Sequence, residues 1–127
     1  MLNQMTLAQF TGDMERFRHG LCRNLLYTPG IQYLCEQGGA YWLLDAIASY
    51  QHSSLINHNE DLSYLQFWVL KVDLEATSAV LELTDGNSEE PFISQQIPFT
   101  DFPLAEVQVW VGDNGNGTRT AYLPSEH

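Results

Sequence analysis

The segment from Ala40 to Tyr50 constrains the fold of this chain more than any other part of its sequence. Its one charged residue is Asp45, which stands among aliphatic and aromatic side chains, and the segment is predicted to be a helix. A helix with so little polar surface must be covered around most of its circumference, so we expect it at the centre of the fold. Three environments are then possible for the Asp45 carboxylate. It is buried, as a general acid would be; it is paired with Arg16, Arg18 or Arg23; or it lies on a narrow exposed stripe.

A second helix is predicted immediately before this segment, because its start and its end are both marked. Thr28 can cap the helix, Pro29 suits the first helical position, and Gly38–Gly39 ends it. The N-terminal piece from Thr6 to His19 is predicted to be helical as well, with an interruption at Gly12 as the alternative. Residues 1–51 are therefore predicted to be mainly helical.

The rest of the chain shows the alternation of apolar and polar residues that is typical of strands. After a polar connection, His52–Asp61, the predicted strands are Leu65–Glu75, Ala79–Thr84, Phe92–Phe99, Glu106–Val111 and Thr118–Leu123. The separation of helical from strand signals predicts a single α+β domain over residues 1–127. In it, the N-terminal helices pack on one face of a C-terminal antiparallel sheet of four or five strands, within residues 62–123.

Four apolar residues fall on the sheet face that otherwise carries charges, namely Phe67, Val69, Val80 and Trp110. Either the N-terminal segment covers this face as well, or the face binds a partner. We expect partial covering, because chains of this size often wrap both faces of a sheet. In the binding alternative, Trp110 is the first candidate anchor, with Phe67 beside it and Glu82 on the same face.

The charge of the chain is strongly negative and unevenly distributed. Sixteen acidic residues oppose five basic residues, for a net charge of −11. Residues 1–35 sum to +1, whereas residues 36–127 hold two basic residues against fourteen acidic ones and sum to −12. Such a surface repels phosphate backbones, which argues against direct nucleic-acid binding and favours a basic protein as partner. The simpler interpretation is that the charge only maintains solubility.

No apolar run approaches the roughly 18 to 20 residues that cross a bilayer, and no signal peptide opens the chain. We therefore expect a cytoplasmic protein without membrane contact. Cys22 and Cys35 match no metal or redox spacing, and we expect two buried thiols rather than a disulfide.

No catalytic motif is present, and we expect neither an enzyme nor a bound cofactor. The densest set of potential metal ligands matches no known spacing and is predicted to be a solvated loop; it comprises His52, His58, Glu60 and Asp61. Asp45 remains as a candidate acid and His19 as a candidate base. No second group lies at a diagnostic spacing from either, so no metal or catalytic site is predicted.

Four stretches of the sequence resemble an uncharacterised bacterial domain family whose members occur in bacterial genomes and mobile elements. They are RNLLYTPGIQYL, GGAYWLLDAIASYQ, the corner TDFPL and the C-terminal LPSEH. The resemblance extends from about Phe10 to the C-terminus. It implies a single compact domain, and it supplies no activity, cofactor or functional residue.

Three functional hypotheses follow from these observations. The first is a non-enzymatic acidic interaction domain that binds a basic partner, in one form as an inhibitor of a basic nucleic-acid-handling protein, with Trp110, Phe67, Glu82 and Asp45 as candidate binding residues. The second is a small enzyme or ligand-binding domain that uses Asp45 and His19 in a shared pocket. The third is a structural subunit that forms a homodimer through an edge strand or the apolar sheet face.

Overall fold

The computed structural model describes residues 2–10, 15–86 and 90–127. Within these residues the chain forms one seven-stranded mixed sheet with the order β1-β2-β7-β6-β3-β4-β5. The strands are β1 (Phe17–Arg18), β2 (Leu25–Tyr27), β3 (Leu65–Asp73), β4 (Ser78–Thr84), β5 (Ile93–Ile97), β6 (Glu106–Asp113) and β7 (Arg119–Tyr122). The helices are α1 (Gln4–Leu7), α2 (Pro29–Gly38), α3 (Tyr41–Ser49), α4 (Ser54–Asn57), α5 (Glu60–Tyr64) and a final 3-10 turn (Pro124–Glu126).

The α+β class is as predicted, but the prediction of a C-terminal antiparallel sheet of four or five strands is wrong. Strands β1 and β2 come from the half of the chain that was predicted to be helical, and β2 pairs in parallel with β7. These strands have two and three residues, which is too short for an alternating pattern to be visible. Their partners are fixed by tertiary packing, so the sequence on its own does not reveal them.

The N-terminal helix predicted over Thr6–His19 is also wrong in the described residues. Helix α1 ends at Leu7, and Phe17–Arg18 is a strand; part of the predicted helix, residues 11–14, lies outside the described residues. The polar connection His52–Asp61 contains the short helix α4 and the start of α5.

Helices α2 and α3 follow their sequence signals closely. The Thr28 side chain caps α2 by accepting the Ile31 N–H, and Gly39 ends the helix with a left-handed φ of 61°. Helix α3 has a buried face of Leu43, Leu44, Ile47 and Ala48. This face belongs to one continuous core with the inward side chains of the sheet, among them Trp68, Leu70, Leu81, Leu83, Val109 and Val111.

The TDFPL corner is packed into this core. Phe102 is buried, and a Cβ atom at Gly38 would lie 2.8 Å from its ring. Thr100 fixes the turn, because its N–H donates to the Thr77 carbonyl and its hydroxyl accepts the Phe102 N–H. The corner therefore joins the end of α2 to the sheet.

The two faces of the sheet differ in accessibility. In β3, β4 and β6 the face that belongs to the core is buried, whereas alternate residues on the second face stay partly accessible. Phe67, Val69, Val80 and Trp110 lie on this second face and are half-buried. Among the described residues, no helix combines the length and the apolar composition needed to cross a bilayer.

Candidate functional site

Four rings cluster on the partly accessible face of the sheet, and we call them the aromatic face: Phe67, Trp110, Tyr122 and His127. Phe67, Trp110 and Tyr122 stand opposite one another on the neighbouring strands β3, β6 and β7. Trp110 lies at the centre, with ring centroids 4.9 Å from Phe67, 6.3 Å from Tyr122 and 5.2 Å from His127. The His127 ring stacks on Tyr122 at 5.7 Å. Such contacts between rings hold the cluster in one geometry.

Two glycines leave room for these rings. Gly86 has a φ of 85°, and a Cβ atom there would lie 2.8 Å from the Phe67 ring. A Cβ atom at Gly112 would lie 3.3 Å from the Tyr122 ring. The indole N–H of Trp110 donates to the Gln108 side chain at 3.2 Å. The Trp110 ring is therefore held by Phe67 and Tyr122 at its sides and by the hydrogen bond to Gln108 at its indole N–H.

Charged residues continue the same face beyond the rings. Glu82 accepts a 2.9 Å salt bridge from Lys71, and this hydrogen bond raises the pKa of the Lys71 ammonium group. Asp73 and Glu106 lie on this face as well, since Lys71 stands opposite Glu106 and two residues from Asp73. These four side chains carry a net negative charge. The sequence thus placed Trp110, Phe67 and Glu82 on one face, and the structure brings Trp110 and Phe67 into contact.

A groove of about 260 Å³ adjoins the aromatic face. Tyr122 and His127 form part of its wall, together with Tyr64, Leu65 and Gly112. Tyr64 is largely exposed. The groove is a recess beside two of the rings, and Arg16, Asp113 and Glu126 also line it.

Asp45 does not belong to this site, because it lies on α3, in the layer on the other side of the sheet. Its side chain is 62% exposed, and its partner is His19, whose Nε2 lies 2.7 Å from Asp45 Oδ1. The Nδ1 atom of His19 accepts the N–H groups of Leu21 and Cys22. An Nδ1 that accepts two N–H bonds carries no proton, so the hydrogen is on Nε2 and points at Asp45. Both ring nitrogens are therefore occupied.

Cys22 makes a second contact between the same loop and the end of α3. Its Sγ lies 3.7 Å from Nε2 of His52, three residues after the last residue of α3. The loop that follows β1 is thereby held at Asp45 and at His52. Cys22 and Cys35 are both buried free thiols, and burial raises the pKa of Cys35 to about 12. Among the described residues, no three His, Cys, Asp or Glu side chains are placed to hold a metal ion.

Sequence reasoning missed a cleft of about 230 Å³ around Arg119. Its lining includes Asn24, Gln51, His52, Asn57, Asp113 and Arg119. The guanidinium donates to the carbonyl and side-chain oxygens of Gln51 at 3.2 and 3.3 Å, and to Asn57 Oδ1 at 2.8 Å. The one sequence signal was that Arg119 is one of two basic residues in the acidic part of the chain.

A buried amide pair fixes the position of Gln51. The side chains of Gln51 and Gln66 exchange two hydrogen bonds, of 3.0 and 2.9 Å, and the Trp68 indole N–H donates to Gln66. Gln51 also donates to the Ile47 carbonyl in α3. Gln51, which supplies two of the acceptors of Arg119, is thus anchored in the core, whereas Asn57, which supplies the third, is exposed.

The model of a family of unknown function, DUF6876, matches residues 1–127. The chain belongs to this family. The resemblance to an uncharacterised domain family is therefore confirmed. A crystal structure of a protein of unknown function from Enterococcus faecalis is similar, with a TM-score of 0.56 and 19% identity over 91% of this chain and 93% of that chain. Likeness at this identity shows the fold alone. No protein with a curated description matches the chain.

Three parts of this family member differ in the chemical groups that they offer to a ligand: the aromatic face, the contact between His19 and Asp45, and the cleft at Arg119. The aromatic face offers ring surfaces and carboxylates, which suit a cationic partner. The contact between His19 and Asp45 leaves neither ring nitrogen free to accept a proton from a substrate. The cleft at Arg119 offers a cation held by neutral oxygens.

Proposed function

We propose that this chain is a non-enzymatic acidic interaction domain whose aromatic face binds an arginine- or lysine-rich segment of a partner protein. One observation carries the proposal. Trp110 stands half-buried at the centre of a four-ring cluster, on a partly accessible sheet face that also holds Glu82, Glu106 and Asp73.

The chemistry of the face matches that partner. Cationic side chains are attracted to aromatic ring faces, most strongly to that of tryptophan, by about 0.5 to 2 kcal/mol for each contact. Asp73 and Glu106, further along the same face, can pair with cations of the partner, whereas Glu82 is already paired with Lys71. The net charge of −12 over residues 36–127 attracts a basic partner from a distance. A central aromatic residue with a rim that excludes water is the usual form of an interaction hot spot.

One finer form of this function is inhibition of a basic nucleic-acid-handling protein. A surface that combines carboxylates with aromatic rings offers such a protein both the negative charge and the stacking surface that it meets on single-stranded nucleic acid. In that form, the domain competes with nucleic acid for the same basic groove.

The test is a fluorescence-anisotropy titration with a labelled peptide of alternating arginine and glycine, and with a matched peptide that has glutamate in place of arginine. We expect saturable binding of the arginine peptide only, weakened as the salt rises from about 50 to 300 mM. Trp110→Ala should weaken binding about tenfold or more. The matched control is Phe99→Ala, which removes a ring that is 71% exposed outside the aromatic face.

Equal binding of both peptides, binding that ignores salt, or equal effects of the two variants would contradict the proposal. A homodimer through the same face is the alternative occupant. It predicts a mass that doubles with concentration in light scattering, and a Trp110→Ala variant that stays monomeric.

A second candidate function, catalysis or ligand binding through Asp45 and His19, is favoured by their 2.7 Å contact. It requires His19 to release one of its present partners. Saturable ligand binding that Asp45→Asn abolishes without changing stability would support it over the interaction function.

A further inference from the structure

The cleft around Arg119 contains a cation in an unusual setting for so acidic a chain. Among the described residues no carboxylate forms an ion pair with the Arg119 guanidinium, although Asp113 stands opposite Arg119 in the register of β6 and β7. The three hydrogen bonds of its guanidinium to described residues go to neutral oxygens of Gln51 and Asn57. A guanidinium stays protonated at all ordinary pH values, so its charge is present but not neutralised by direct contact.

Partial burial makes this charge costly. Loss of water around the guanidinium lowers the pKa of Arg119 from its usual value, although the negative charge of Asp113 acts in the opposite direction. A partly buried cation with only neutral acceptors gains most from an anion that bonds to it directly, because charge-assisted hydrogen bonds are about twice as strong as neutral ones. The setting of Arg119 therefore favours an anionic ligand.

The other residues of the cleft offer compatible groups. Asn24 is exposed at the cleft, and no residue in the described part of the chain forms a hydrogen bond with its side chain, so its amide is available as a donor. His52 adds an imidazole whose protonated form is a further donor. Asp113 lines the same cleft and accepts the Gly115 N–H, and its carboxylate favours a ligand with a hydroxyl or ammonium group beside the anion.

We propose that this cleft is a binding site for a small oxyanion, the carboxylate or phosphate group of a ligand that also carries a hydrogen-bond donor. Arg119 supplies the cation, and Asn24 and His52 supply further contacts. The volume of about 230 Å³ lies below the roughly 300 to 1,000 Å³ of drug-sized sites, so the ligand is a small one. Arg119 and Tyr122 are three residues apart in β7, so their side chains point to opposite faces of the sheet.

The experiment is an NMR titration of the uniformly ¹⁵N-labelled chain with sodium phosphate and, separately, with sodium lactate, at an ionic strength held constant with sodium chloride. We expect saturable shifts of the amide signals of Asn24, Gly117 and Arg119 with at least one of the two. The two arms distinguish phosphate from carboxylate as the anion. Equal shifts of the same amide signals in a titration with sodium chloride alone would overturn the proposal.

Two matched pairs of variants locate the site. Arg119→Gln should weaken binding about tenfold or more, whereas Lys71→Gln, which changes the net charge equally on the other face, should not. Asn24→Asp places a negative charge at the cleft, which repels the anion and should also weaken binding. Gln37→Glu adds the same charge at an exposed position of α2 and should leave binding unchanged.

The variants of the second pair keep the hydrogen bonds between Arg119 and Gln51. They therefore show whether the cleft binds the anion even if Arg119→Gln does not fold. Equal effects within the second pair, or saturation unchanged in Asn24→Asp, would show that Arg119 only links β7 to the end of α3.

Discussion

The hydroxyl of Thr28 donates a 2.7 Å hydrogen bond to the carboxylate of Glu126, 98 residues later in the chain. The same Thr28 oxygen accepts the Ile31 N–H as the cap of α2, and the Glu126 carboxylate also accepts the Leu123 N–H at 2.9 Å. A Cβ atom at Gly30 would lie 2.5 Å from this carboxylate. The YTPG and LPSE motifs are therefore two halves of one structural junction.

Glu126→Ala should reduce the free energy of unfolding by about 1 to 3 kcal/mol, because it leaves the buried Thr28 hydroxyl and the Leu123 N–H without their acceptor. Urea denaturation followed by circular dichroism measures the change. Glu75→Ala, which removes an exposed carboxylate from the turn between β3 and β4, should change stability by less than about 0.5 kcal/mol. Equal losses in the two variants would show that the junction contributes nothing specific.

The sequence revealed the half of this junction that is local. The cap at Thr28, the proline at the first helical position and the glycine stop depend on neighbours within four residues, so α2 was predictable. The partner Glu126 is non-local, and no spacing rule identifies it. For the same reason β1 and β2 escaped prediction, since their pairing with each other and with β7 is decided by packing.

The same difference between local and non-local contacts decides how much of each candidate site could be predicted. Alternation within β3 and β6 was enough to place Phe67 and Trp110 on one face, because side chains alternate strictly along a strand. Adding Tyr122 required the register of β7, which the sequence does not show. The cleft at Arg119 could not be foreseen, since its acceptors on Gln51 and Asn57 lie 68 and 62 residues earlier in the chain.

The contact between His19 and Asp45 predicts unequal effects of removing its two members. His19→Ala should cost about 1 to 3 kcal/mol, since the buried Cys22 N–H loses its acceptor. Asp45→Ala should cost less than about 1 kcal/mol, because the Asp45 side chain is 62% exposed and water can replace it as the hydrogen-bond partner of His19. Both are measured by urea denaturation. A loss in Asp45→Ala as large as that in His19→Ala would contradict the structural role of His19.

Cys35 predicts a loss of stability in alkali. Burial is the main cause that raises its pKa from 9.0 to about 12, with smaller contributions from Asp45 and Glu36. A pKa raised in the folded state gives stability that is complete below about pH 9 and is lost as the pH rises towards 12. At about 1.4 kcal/mol for each pKa unit, the loss approaches about 4 kcal/mol. Cys35→Ala should flatten this part of the curve of unfolding free energy against pH, and an unchanged slope would contradict the prediction.

The aromatic face predicts different outcomes for two glycines with the same backbone conformation. Gly86 and Gly115 have φ values of 85° and 83°, so alanine strains the backbone equally at both, by about 1 to 2 kcal/mol. Only at Gly86 does the new Cβ approach the Phe67 ring, at 2.8 Å, whereas at Gly115 nothing lies within 4 Å. Gly86→Ala should therefore displace Phe67, change the fluorescence of the neighbouring Trp110 and weaken binding of the arginine peptide. Gly115→Ala should lose stability without these changes. An equal loss of peptide binding in both variants would show that the peptide does not bind at the aromatic face.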